Sequence, residues 1–208
     1  MSFGFRLLYH ELAWSYDLVA WLVSCGQWQN WGRAALPHLV GERVLELGHG
    51  PGHLLVTLAR EGFQPVGLDP SPQMGRLAWR RLRQARQTLT LVRGHAQTLP
   101  FPACTFDSIV ATFPTPYIVE PATLAEVVRT LRPHGRLVIV SRAQLKDSHP
   151  VVRFIEWLYS ITGQREALDG WEAAFTAAGL ALRRVSAEIG RSQVWLLIAE
   201  LATPDDRH

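Results

Sequence analysis

The stretch Val44-Leu45-Glu46-Leu47-Gly48-His49-Gly50-Pro51-Gly52-His53-Leu54-Leu55 decides how this chain is read. A mostly apolar run, Arg43–Leu47, reads as a buried strand. Glycine then stands at every second position, 48, 50 and 52, and an apolar, helix-like run resumes over His53–Glu61. Glycine tolerates positive φ and lets another molecule come close to the backbone. A helix that starts right after such a turn presents free N–H groups to a carboxylate or phosphate. The turn therefore reads as a cradle for a ligand.

Outward from the turn, strand-like and helix-like pieces alternate. Pro65–Asp69 is a second strand. Pro72–Arg86 is a helix with Ser71 as N-cap and proline at its first position. Leu89–Val92 and Phe106–Thr112 are further strands, Ala122–Leu131 a helix, and Arg136–Ser141 a fifth strand after the turn at Pro133-His134-Gly135. This alternation predicts a mostly parallel sheet with helices on both faces. Val151–Ile161 and Gly170–Ala178 read as helices. Leu180–Ile189 and Val194–Leu201 flank Gly190-Arg191-Ser192 and read as an antiparallel hairpin that completes seven strands. Residues 1–40 read as a separate helical lid, and 41–203 as the α/β domain proper.

The bulk properties fit one globular domain. Among 208 residues, 48% are hydrophobic and 19% charged, which excludes a disordered chain. No apolar run approaches the roughly 18 residues of a spanning helix. No secretory signal is legible at the N-terminus, and Cys25 and Cys104 form neither a disulfide framework nor a metal site. A cytoplasmic protein is expected. The net charge of +3 permits contact with an anionic surface without demanding it.

Two ligand classes compete for the turn. A dinucleotide fingerprint, G-x-G-x-x-G, needs glycine where His53 stands. The pattern present is E-x-G-x-G-x-G, Glu46 to Gly52. Asp69 ends the next strand, about 20 residues past the turn, where an acid can accept ribose hydroxyls of either cofactor. In this pattern the chain resembles the class I S-adenosylmethionine-dependent methyltransferases, with the style of the quinone-biosynthesis group. Asp69-Pro70-Ser71 with Met74, Gly94-His95-Ala96-Gln97-Thr98-Leu99-Pro100-Phe101, Phe106-Asp107-Ser108-Ile109-Val110 and Leu131-Arg132-Pro133-His134-Gly135 follow in the family's order. The resemblance covers about residues 43–142.

The resemblance implies a Rossmann-like seven-stranded fold and S-adenosyl-L-methionine as cofactor. It implies that Glu46, Gly48, His49, Gly50 and Gly52 surround the methionine end, and that Asp69 takes the ribose. Pro70, Met74, His95 and Ala96 would border the adenine, with Met74 read equally as a core residue. Thr112 would face the methyl group. His95 replaces the usual aspartate; a neutral imidazole can accept a hydrogen bond and a protonated one cannot, so adenine binding would weaken in acid. Leu12–Asp17 resembles a lid segment whose tyrosine, Tyr16, lies over the cofactor.

The acceptor side is less legible. Thr112-Phe113-Pro114-Thr115-Pro116-Tyr117 follows a strand end, and Phe113 and Tyr117 read as pocket walls. His10, His49 and His149 are each a conceivable base, although a single histidine is more often structural. Trp14, Leu18, Trp21, Cys25 and Trp28 share a helical face, and Trp157 and Tyr159 could join it. Arg76, Arg80, Arg81, Arg83 and Arg86 read first as a solvated basic face. The expected activity is methyl transfer to a small or lipophilic acceptor, with peripheral membrane contact possible in principle and nucleic acid not expected. The alternatives are a cofactor-binding homologue without catalysis and, disfavoured by His53, a nucleotide-cofactor oxidoreductase.

Overall fold

The computed structural model describes residues 28–145 and 171–201. Its strands are β1 (Arg43–Leu47), β2 (Gln64–Asp69), β3 (Thr90–Arg93), β4 (Phe106–Thr112), β5 (Leu131–Leu145), β6 (Leu180–Ile189) and β7 (Ser192–Leu201). The helices are α1 (Trp28–Arg33), α2 (His53–Arg60), α3 (Pro72–Gln84), α4 (Pro121–Thr130) and α5 (Trp171–Ala177), with 3-10 turns at Leu36–His38 and Pro116–Val119. All seven strands form one sheet in the order β3-β2-β1-β4-β5-β7-β6. The pairings from β3 through β5 are parallel, and β7 runs antiparallel to both β5 and β6. Strand order therefore reverses between β1 and β4, and ligands of such sheets bind beside the carboxyl ends at that point.

Side-chain alternation explains why the central strands lack a polar face. Leu45, Leu47, Ile109, Ala111, Leu137 and Ile139 enter one buried cluster, which Leu124 and Val127 of α4 and Trp171 and Phe175 of α5 complete. Val44, Val110, Val138 and Val140 enter another, covered by Trp31, Leu54 and Leu58 from α1 and α2. A parallel sheet covered on both sides needs this apolar run. Each fully buried Leu or Ile contributes about 1.5–3 kcal/mol. Glu46 shares the face of Val44, since alternate strand residues point the same way, and it is the buried charged residue of β1.

The parallel run, the antiparallel closure and the Rossmann-like order agree with the sequence reading. Boundaries moved. β5 begins at Leu131, not Arg136, because Leu131 pairs with Phe106 before a register shift carries the chain to the Ser108–Arg136 pair. The bulge between them includes His134 at φ 64. β7 begins at Ser192, two residues early. Within residues 28–40, Trp31, Ala34 and Ala35 are buried in the domain core. Residues 1–27 and the helix read over Val151–Ile161 lie outside the described residues.

Candidate functional site

The turn after β1 is built from three left-handed residues, Gly48 (φ 68), Gly50 (φ 51) and Gly52 (φ 81). Gly52 is also a close approach: a Cβ there would lie 2.9 Å from Cβ of Ala78 in α3. Small residues on both sides let α2 start against α3. Arg81 of α3 donates to the Pro51 carbonyl and holds the outer rim of the turn. The Gly48 N–H donates to the Leu68 carbonyl at 2.8 Å, continuing the β1–β2 ladder into the loop.

Asp69, at the end of β2, fastens the other side. One carboxylate oxygen accepts from the Gly50 N–H at 2.9 Å and the other from the Ser71 N–H at 2.8 Å. Ser71 in turn caps α3 by accepting from the Met74 N–H at 3.3 Å. Asp69 is buried but not sealed, at 8% exposure. A carboxylate has about four acceptor positions, so Asp69 retains capacity for further donors.

Glu46 lies two residues before Gly48 at 1% exposure, and its Oε2 has no hydrogen-bond partner among the described residues. Burial, reinforced by the Asp69 charge, pushes its carboxyl well above the ordinary range. A buried polar atom without a partner costs about 1–3 kcal/mol. Such an atom close to an exposed glycine calls for a donor that the described residues do not supply.

His49 fills the space between them. Its ring reaches the room that Gly67 leaves, where a Cβ would lie 2.9 Å from Cδ2 of His49. Nδ1 lies 2.7 Å from the Gly50 carbonyl. A carbonyl only accepts, so Nδ1 carries the proton and Nε2 keeps its lone pair. Burial lowers the pKa of this imidazole, while Asp69 and backbone hydrogen bonds oppose the shift. His49 is thus a buried part of the turn's scaffold.

The remaining sequence-predicted residues divide. Pro70 is exposed beside Asp69, and Thr112 is half-buried at the end of β4, across β1. His95 is exposed and Ala96 buried in the loop after β3. Met74 has no exposed surface and sits in the interior of α3. Tyr16, His10, His149, Trp157 and Tyr159 lie outside the described residues.

Beyond Thr112 the chain is strained. Phe113 takes φ 49, a conformation uncommon for a bulky residue. Its N–H donates to Val140 at 2.8 Å, and its ring meets Trp31 edge to face at 6.0 Å. Tyr117 places its hydroxyl 3.1 Å from where a Gly48 Cβ would stand and reaches the Leu47 carbonyl at 3.4 Å. Both residues thus stand near the carboxyl ends of β1 and β4.

Sequence reasoning missed the device that holds the loop after β3. Arg129 donates to the Phe101 carbonyl at 2.7 Å and to the Leu99 carbonyl at 3.0 Å, while Glu126 accepts from the Leu99 N–H at 2.7 Å. The Glu126–Arg129 pair, 2.7 Å apart, was visible as an i,i+3 match on one helix face. Its target loop was not. The acid of Phe106-Asp107 lies at the far end of β4. There Asp107 accepts from the Glu42 and Arg43 N–H groups and pairs with Arg132 at 2.8 Å. Burial pushes its carboxyl up, but the hydrogen bonds outweigh this and hold it below the usual carboxylate range.

Comparison with known proteins bears on this arrangement. Residues 44–135 match the family model described as a methyltransferase domain. A demethylmenaquinone methyltransferase of Symbiobacterium thermophilum is 32% identical over 73% of this chain and 62% of its own length. The enzyme of the same name from Paenarthrobacter aurescens is 33% identical over 74% of this chain and 58% of its own. The chain thus spans about three fifths of the length of these curated relatives. Among solved structures, a methyltransferase of Aquifex aeolicus superposes with TM-score 0.65 at 17% identity, covering 89% of this chain and 98% of that one. Geranyl diphosphate C-methyltransferase from Streptomyces coelicolor, solved with geranyl diphosphate and S-adenosyl-L-homocysteine, superposes with TM-score 0.64 at 15% identity, covering 82% and 78%. The glycine turn, Gly48 to Gly52, falls inside the matched segment. Residues 44–135 thus match the methyltransferase domain family, and the chain is similar in sequence to the demethylmenaquinone methyltransferases and in fold to S-adenosylmethionine-dependent methyltransferases.

Proposed function

We propose that this protein transfers a methyl group from S-adenosyl-L-methionine to a small, lipophilic acceptor. The observation that carries the reading is the buried Oε2 of Glu46, which has no hydrogen-bond partner among the described residues and has Asp69 as its acidic neighbour. Two carboxylates and a bare backbone suit a ligand that carries an ammonium group and a sugar diol. They do not suit a pyrophosphate, which like charge would repel.

The residues present fit that cofactor. Glu46 would accept from the ammonium group of its methionine tail, directly or through a water. The turn from Gly48 to Gly52 would lie against that tail, with His49 shaping the loop from below. Asp69 would accept from the ribose hydroxyls with its remaining lone pairs. Pro70, His95 and Ala96 would border the adenine, with the Ala96 N–H as donor. Met74 supports this edge from the core of α3. Tyr16 is retained as a candidate cover on the strength of the family resemblance alone.

When bound, the cofactor supplies a methyl carbon attached to a sulfonium, a leaving group that needs no protonation. The chain's task is then positional. An acceptor must be held in line, about 3–3.5 Å from the carbon, with water kept out. Thr112, Phe113 and Tyr117 line the strand ends where that acceptor would lie, and the two rings offer an apolar wall. The relatives named for demethylmenaquinone favour a quinol-like acceptor, which would also bring the protein to membranes where such molecules reside.

Calorimetry with S-adenosyl-L-methionine, S-adenosyl-L-homocysteine and a nicotinamide dinucleotide tests the cofactor. Binding of both sulfur nucleosides without the dinucleotide is expected. Methyl transfer to a panel of reduced quinones and phenols tests the acceptor. Tight cofactor binding with no turnover on any of them would favour a non-catalytic homologue.

A further inference from the structure

Helix α3 carries a surface that the methyl-transfer reading does not use. Its sequence, PQMGRLAWRRLRQ, contains arginine at positions 76, 80, 81 and 83 and no acidic residue. Met74, Ala78 and Leu82 face the core. On the opposite side Arg76, Trp79, Arg80 and Arg83 fall within an arc of about 100°. Trp79 is 53% exposed, the one large hydrophobic side chain so open among the described residues. The Arg83 guanidinium lies 4.8 Å from the centre of its ring. None of Arg76, Arg80, Arg83 and Arg86 forms an ion pair with a described residue. Elsewhere arginines do find carboxylates: Arg33 pairs with Glu61, Arg132 with Asp107, Arg136 with Glu200 and Arg184 with Glu172.

We propose that this face of α3 docks on an anionic lipid bilayer. The argument is charge complementarity joined to an interfacial aromatic residue. Unpaired arginines along one face of a short helix gain from the negative surface potential of a membrane, about fivefold in partitioning for each charge. A tryptophan between them has an apolar body and a polar edge, the combination that settles at headgroup level. The arginine stems can lie along the lipid boundary while their heads remain with phosphate. The helix lies flat, with its apolar face already committed to the protein core, so the contact is peripheral. Pro72, the first residue of α3, follows Asp69 by three positions, so docking would bring the rim of the glycine turn close to the lipid. The proposal uses the acceptor reading only to explain why a membrane would be visited, and its test needs neither cofactor nor acceptor.

The test is co-sedimentation of the full chain with sucrose-loaded phosphatidylcholine vesicles, with and without phosphatidylglycerol at about one third of the lipid. Binding to the anionic vesicles, with a steep fall between low and high salt, is expected. Trp79→Ser should weaken partitioning several-fold. Arg76→Gln, Arg80→Gln and Arg83→Gln together should weaken it about a hundredfold, the product of three fivefold steps. Circular dichroism checks folding, and the three single glutamine variants, each expected to lose about fivefold, replace the triple variant if it does not fold. Equal binding to neutral and anionic vesicles, or variants that bind like the parent, overturns the proposal. So does retention of a fluorescent single-stranded RNA by the same arginines with no vesicle binding, which would assign the face to nucleic acid.

Discussion

The Gly50 N–H donates to Oδ2 of Asp69 at 2.9 Å, so the acid that ends β2 also fixes the turn that ends β1. Its other oxygen holds Ser71, the cap of α3. One carboxylate thus couples two loops and a helix start. Asp69→Ala should abolish cofactor binding, by at least a hundredfold in Kd. It should also lower stability by about 1–3 kcal/mol, the usual cost of buried donors left without partners. Asp69→Asn keeps one acceptor oxygen but sets its NH2 against the other N–H donor, so it should recover only part of the stability and little of the affinity. Calorimetry and thermal melts separate the two effects. An Asp69→Ala protein of near-normal affinity would remove this residue from the site.

Gly52 carries two constraints that substitution can separate. Its φ is 81, and an added Cβ would meet Ala78 at 2.9 Å. Gly52→Ala should destabilise by about 1–3 kcal/mol, through left-handed strain and overpacking together. Adding Ala78→Gly removes the closer contact, leaving Cα of residue 78 at 3.1 Å, and costs helix propensity, about 1 kcal/mol. The double variant should therefore be less unstable than the two single effects sum to. Strict additivity in urea melts would mean that the contact between α2 and α3 at this point carries no energy.

The part of the fold that depends on periodicity was legible in the sequence. Alternating apolar strands and amphipathic helices gave the parallel run, and Gly190-Arg191-Ser192 gave the antiparallel closure. The glycine turn was legible because few residues other than glycine accept φ near 60 at three alternating positions. What escaped were contacts between residues far apart in the chain. The burial of Trp31 against Phe113, the seat of His49 over Gly67 and the grip of Arg129 on Leu99 and Phe101 leave no local pattern. The β5 start was missed for a related reason: a proline and a glycine looked like a turn, and only the Phe106–Leu131 pairing makes the segment strand.

Arg129 gives a prediction on the nucleoside side. It bonds two carbonyls of the loop after β3 and is oriented by Glu126 on its own helix. Arg129→Ala should free residues 96–101 without unfolding the sheet. Faster amide exchange confined to that loop is expected, with roughly a tenfold weaker Kd for S-adenosyl-L-homocysteine as ordering is deferred to binding. Arg129→Lys places a charge near the same carbonyls but cannot fork across them, so it should restore only part of the affinity. Unchanged exchange in the loop would show that other contacts hold it.

Glu46 provides the pH dependence. Burial first, and the Asp69 charge second, raise its carboxyl well above the ordinary 4.5. A folded-state pKa above the unfolded value means that the group takes up a proton on folding. The associated stability is full below 4.5 and is lost as pH rises through the higher folded value. Glu46→Gln, an isostere of the protonated acid, cannot lose that proton. In the absence of cofactor it should match the parent near pH 4.5 and become progressively more stable than it as pH rises, by about 1–3 kcal/mol at most and roughly 2–10 °C in Tm. Cofactor binding should show the opposite preference, because a cationic ammonium group favours the ionised carboxylate. Affinity of the parent should therefore rise with pH through the same window, with proton release seen as a difference between calorimetric enthalpies in two buffers. In the glutamine variant both the slope and the proton release should vanish. If instead the melting difference between parent and variant stays constant with pH, Glu46 does not titrate between its ordinary and folded values, and its buried oxygen is not the site of the cationic contact.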